Sequence, residues 1–302
     1  MKSRLLRTPN KYIMPLNVNT LRGNLFFKKH KSLSNKHILY IPDLQSNINL
    51  NYNIIQSLSN YGSVTSVDLP GIGGMESFYK IERKPTIEHY ADYLASLIRL
   101  RYKNKKIILS GQGFGLIVIT SMLQRYPIIA EQTKLIVSIN GVARFDDYNS
   151  DRRTRIMYSA LGSINFLSNF ITSLGLKNYF LEIGYSSKYK KNDISKELIS
   201  SDSRFLNKSL HKNDLATHLF LLKEISKFDN CNKRRLDIPL WNIILEDTMI
   251  DKKVNEQHMK IIFKKYYQSS PKISHYDLFI SNDKLISTIF NSKLKKLLLR
   301  KR

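Results

Sequence analysis

The 302-residue chain has one cysteine, Cys231, and one tryptophan. A single thiol excludes an internal disulfide framework and any zinc cluster built on cysteines of this chain, so a reducing compartment is the default. No stretch reaches the ~18 uninterrupted apolar residues that a membrane-spanning helix needs. The basic start, MKSRLLRTPNKYIMPLNV, lacks the apolar run of roughly 7 to 15 residues of a secretory signal. The expectation is a cytoplasmic protein. The glycines of LPGIGGM are followed neither by a Walker lysine nor by G-x-G-x-x-G, and they read as turn glycines. His211, His218 and His258 have no Cys, Asp or second His at ligand spacing. Neither a metal nor a cofactor is expected.

What is present is enough for a core: 42% of residues are hydrophobic and 24% charged. At roughly 150 residues per domain, the length allows two domains or one large α/β domain with an insertion. Lys and Arg number 49 against 24 Asp and Glu, a net charge of +25. Lys, Asn, Ile and Ser are enriched throughout, which fits a generally solvated basic surface better than a dedicated face for nucleic acid or an anionic membrane. Both alternatives stay open on charge alone.

The first half alternates short apolar runs with longer amphipathic stretches, the pattern of strand-helix units on a mostly parallel sheet with helices on both faces. Strands are expected at His37 to Pro42, Ser63 to Leu69, Lys106 to Leu109 and Leu135 to Ile139. Helices are expected near Leu50 to Leu58, over TIEHYADYLASLIRL, and over LIVITSMLQRYP up to Pro127. After Gly141 the alternation stops, and it returns at Ile238 to Leu245 with helices near Val254 to Phe263 and Leu285 to Leu299. The expected organisation is a core at 1–145 and 237–302 interrupted by a helical cap at 146–236. The terminal KLKKLLLRKR reads as a Leu stripe docked on the sheet with its lysines in water, ahead of an amphipathic membrane anchor.

Four landmarks then fall in order. VDLPGIGGM follows the second of these strands, HYADYLASLI follows as a helix, SGQGFG joins a strand to a helix, and Asp247 precedes His275 by 28 residues. Together they resemble the α/β-hydrolase family over most of the chain. The resemblance implies that fold, a nucleophile on the sharp turn of G-x-S-x-G, and an acid and a histidine completing a triad. Gly111 and Gly115 match the outer glycines and Gln112 and Phe114 the variable places, so Gly113 stands where the family's serine would. Glycine tolerates the dihedrals of such a turn but carries no nucleophile. Ser110 lies in the strand, three residues before Gly113, the place of a serine that faces substrate.

Asp247 and His275 match the acid and the histidine, with Thr248 the acid's alternative at an offset of one. The backbone N–H groups of Leu44, in IPDLQSN, and Phe114 match the oxyanion donors. This pattern points first to a non-hydrolytic protein that binds a small apolar or acyl ligand under the cap, or a protein partner. The alternatives are an active esterase, or lyase-type chemistry with His275 as general base.

Overall fold

The computed structural model describes residues 10–33, 35–44, 46–149, 152–186, 211–280 and 286–300. Among them are eight strands in one sheet: β1 (Ile13–Val18), β2 (Leu21–Lys28), β3 (His37–Ile41), β4 (Ser63–Val67), β5 (Ile107–Gln112), β6 (Thr133–Ile139), β7 (Leu236–Ile243) and β8 (Phe263–Ser269). Their order is β1-β2-β4-β3-β5-β6-β7-β8. β1 and β2 pair antiparallel with their neighbours, and every pair from β4 to β8 is parallel.

Between the strands run α1 (Tyr52–Leu58), α2 (Ile87–Arg101), α3 (Phe114–Arg125) and α4 (Pro127–Gln132). The long excursion from β6 to β7 carries α5 (Arg152–Ser163), α6 (Ser168–Ser173), α7 (Lys177–Ser186) and α8 (Leu215–Lys227). α9 (Lys252–Ile262), α10 (His275–Ile280) and α11 (Ser292–Leu299) complete the described helices. Part of the expected insertion, 187–210, lies outside the described residues.

Strand periodicity divides the core. On β3, Leu39 and Ile41 face the cluster that includes Tyr90, Leu94 and Leu97 of α2 and Ile119 of α3. Ile38 and Tyr40 face the opposite cluster, with Ile54 of α1, Leu278 of α10 and Leu294 and Leu298 of α11. These central strands are buried on both sides, as parallel sheets require. The C-terminal leucine stripe is therefore docked, and Lys36 Nζ donates to the Leu298 carbonyl at 2.6 Å.

The expected strands and helices of the core are present with shifted ends. Pro127 does end the preceding helix, α3, at Arg125, and it also opens α4 at the first-turn position that tolerates its missing N–H. The expected terminal helix is instead a 3-10 turn at Ser287–Ile289 followed by α11, and residues 281–285 lie outside the description. Three strands carried no readable signal. β1 and β2 close through Asn19 and Thr20, at φ 51 and 68, a tight hairpin bend made without glycine. β8 is an edge strand whose Lys264 and Lys265 face water, so its sequence lacks a continuous apolar run.

Candidate functional site

The site lies at the carboxyl ends of β3, β5 and β7, where loops leave a parallel sheet and where side chains from different strands converge. β5 passes into α3 through Gly113 alone, at φ 48 and ψ −112. Its N–H donates to the Ile139 carbonyl at 3.0 Å and its carbonyl accepts from Leu116 N–H at 3.1 Å, so the turn is held from both sides. Such a positive φ is costly for an L-residue with a Cβ.

Space is tighter still than the dihedrals. A Cβ on Gly113 would sit 2.5 Å from Asp43 Oδ1 and 2.7 Å from Oδ2. Asp43 follows β3 and Pro42, and its side chain turns into the volume that a side chain on Gly113 would need. There its Oδ1 accepts two backbone N–H bonds at 2.8 Å each, from Leu44 and from Phe114. These are the two amides that the sequence matches to oxyanion donors. They converge on one oxygen, and that oxygen belongs to the protein. Asp43 is buried at 5% exposure.

Its charge reaches two phenols. Burial first, and Asp43 second, push the Tyr40 and Tyr148 hydroxyls far above their ordinary range. Tyr40 Oη is 2.8 Å from both Asn51 Oδ1 and Gln112 Oε1, with one hydroxyl proton to share between them. The other end of the Gln112 amide lies 2.7 Å from His275 Nε2. The Gln112 side chain thus links the Tyr40 hydroxyl to the His275 ring through the two ends of one amide.

His275 is 4% exposed and opens α10. Asp247 reaches it through the backbone: both carboxylate oxygens accept the His275 N–H at 2.9 Å. That contact satisfies a helix-end donor and fixes the first residue of α10. Burial raises the Asp247 pKa above the usual carboxylate value, and the bond from His275 pulls the other way. Thr248, the alternative acid position, is buried beside it. Ser110 shares the β5 face of Gln112 one pleat deeper; it is buried, and among the described residues its Oγ has no hydrogen-bond partner.

The beginning of α8 clamps the loops around this centre. Asn213 Nδ2 donates to the Leu44 carbonyl at 3.4 Å while its Oδ1 accepts from Gly73 N–H at 2.8 Å. Asp214 N–H donates to the Gly71 carbonyl at 2.8 Å, and its carboxylate caps α8 through Thr217 N–H. Gly73 in turn lies against Asp68, whose Oδ1 takes Ile48 N–H at 2.9 Å. Burial lifts the Asp68 carboxyl to about 7.

Among the described residues no group of His, Cys, Asp and Glu is arranged to hold a metal ion. Nor is any described helix long and apolar enough to cross a membrane. Sequence reasoning named Gly113, Phe114, Leu44, Asp247 and His275 as candidates, and it did not single out Asp43, Gln112 or Tyr40, which the fold brings among them. Nothing in the spacing marks them, because Asp43 acts by where its side chain turns and Gln112 fills a variable place of its motif.

No family model matches the chain, and no curated protein does. Solved structures match along nearly its whole length. An esterase from Thermogutta terrifontis aligns with TM-score 0.66 at 12% identity, covering 94% of this chain and 98% of its own. The enol-lactonase of Burkholderia xenovorans LB400 gives 0.66 at 13%, covering 91% and 98%. An acetylester hydrolase from Corynebacterium glutamicum gives 0.65 at 13%, covering 95% and 94%. With the mostly parallel eight-stranded sheet and its helices on both faces, these likenesses identify the architecture: the chain has the α/β-hydrolase fold.

Proposed function

We propose that this α/β-hydrolase-like protein does not cleave esters through a serine acyl-enzyme, and that it works by binding a small apolar or acyl ligand beneath a cap formed by the helices between β6 and β7. The observation that carries this reading is the Asp43 carboxylate seated on the Leu44 and Phe114 amides. A tetrahedral intermediate needs those donors for its own oxyanion. Displacing a carboxylate from two such bonds costs about 3 kcal/mol or more. That penalty slows any acyl step roughly 100-fold before the missing hydroxyl of Gly113 is counted.

The test is labelling by a fluorophosphonate probe. The natural protein stays unlabelled, and so does Gly113→Ser, because the new Cβ meets Asp43. The double variant Asp43→Gly with Gly113→Ser takes the label. Stoichiometric labelling of a serine in the natural protein overturns the proposal.

A second reading keeps an enzyme, with His275 as general base toward substrate or water. The buried His275 ring, with its Nε2 held against the Gln112 amide, favours it. Under that reading a substrate screen finds an activity that His275→Ala abolishes.

A further inference from the structure

The helices between β6 and β7 present two unlike faces. Tyr158, Gly162, Ser168, Ile171 and Leu181 are buried, and α5, α6 and α7 all pack on α8. On the other side stand apolar side chains in water: Phe166 is 75% exposed, Tyr179 67%, Phe170 61%, with Ile156, Leu174 and Leu176 also exposed. Of the fourteen exposed large hydrophobic residues among those described, eight fall between Ile156 and Tyr179. Phe166, Phe170 and Leu174 recur at intervals of four, which puts them on one side of the α6 segment. Scattered exposed apolar residues are ordinary, but a concentration of this kind marks a contact surface.

Charge selects the partner. Residues 152–186 hold Arg152, Arg153, Arg155 and Lys177 against one acidic residue, Glu182, in a chain of net charge +25. Arg153 lies three and four residues before Ile156 and Met157, on the same exposed side of α5. Arg155 is committed to Asp146, but Arg152 and Arg153 are exposed. Exposed aromatic and aliphatic side chains on a segment that also carries exposed arginines and little acidity suit the boundary of an anionic bilayer, where the apolar groups enter the acyl region and the cations meet headgroups. A nucleic acid would find too few cations and too much hydrocarbon on this face.

We infer that the outer face of α5, α6 and α7 docks on anionic lipid membranes, at the surface and without spanning. This inference does not rest on the absence of acyl chemistry. It is tested on the full chain with sedimenting vesicles of phosphatidylcholine, with and without phosphatidylglycerol. The natural protein binds the anionic vesicles at least ~10-fold more tightly than the neutral ones. Phe166→Ser with Phe170→Ser loses at least ~10-fold of that binding with an unchanged melting temperature and the same sedimentation coefficient.

In a second measurement, Phe170→Trp, bound to vesicles whose lipid chains are brominated, shows quenching beyond that of the natural protein. Failure to bind, or binding undiminished by the Phe substitutions, overturns the inference. So does a melting temperature several degrees lower, which would mean that the chain itself covers the face. Dissociation of a dimer by the double substitution would assign the face to a second copy. No added quenching in the Phe170→Trp variant would remove the bilayer from this face.

Discussion

Asp43 and Gly113 divide one volume between them: the carboxylate from the loop after β3 fills the space that the missing side chain on the β5–α3 turn leaves, 2.5 Å from where its Cβ would be. The two positions are therefore coupled, and neither change is neutral without the other.

Gly113→Ala illustrates this. It adds a Cβ at φ 48 against a buried carboxylate and should cost about 2–4 kcal/mol in urea unfolding. In an Asp43→Gly background the same change should cost less by at least ~1 kcal/mol, because only the dihedral strain is left. Additive effects would show that the clash does not exist.

Asp43→Gly on its own empties the seat on the Leu44 and Phe114 amides and leaves two buried donors without a partner, at about 1–3 kcal/mol. Formate should refill it. Millimolar formate is expected to raise the melting temperature of the variant by ~2 °C or more and leave the natural protein unchanged. An equal response of both proteins would place the formate elsewhere.

Asp68 gives a pH signature. Its carboxyl is raised from 3.8 to about 7 in the folded chain, so between those values the folded state holds a proton that the unfolded state has lost. Stability from this group accordingly falls as pH rises through that window, and the full penalty is present above about 7. Asp68→Asn keeps an acceptor for Ile48 N–H and removes the titration. Its melting temperature should exceed that of the natural protein by ~3 °C or more at pH 8, and the gap should shrink toward pH 5. A constant difference across this range would mean that Asp68 does not titrate there.

At Asp247 the expected effect separates charge from capping. Asp247→Ala removes the acceptor for His275 N–H and should destabilise by about 1 kcal/mol, with faster amide exchange in α10, while Asp247→Asn retains most of the cap. Identical exchange in the two variants would show that the bond does not hold α10.

Most of the parallel core was legible because Ile38–Ile41, Ile107–Leu109 and Leu135–Val137 are apolar on both faces of the sheet and no other element of that length needs such a run. The bend at Gly113 was visible from its flanking glycines. The first hairpin was hidden by Asn19 and Thr20, which enter the left-handed region without the glycine that usually announces it. Asp43 was hidden for another reason. Its residue type is common in loops, and only the three-dimensional path of the chain brings it to amides 1 and 71 residues away. Gln112 is similar, since its link between Tyr40 and His275 joins elements separated by 72 and 163 positions.

Asn213 grips the Leu44 carbonyl with one end of its amide and the Gly73 N–H with the other. Leu44 also supplies half of the seat for Asp43. Any swing of the first turn of α8 thus pulls on that seat as a lever pulls on its fulcrum. The segment that leads into α8 and the amides that hold Asp43 are joined through the Asn213 carboxamide.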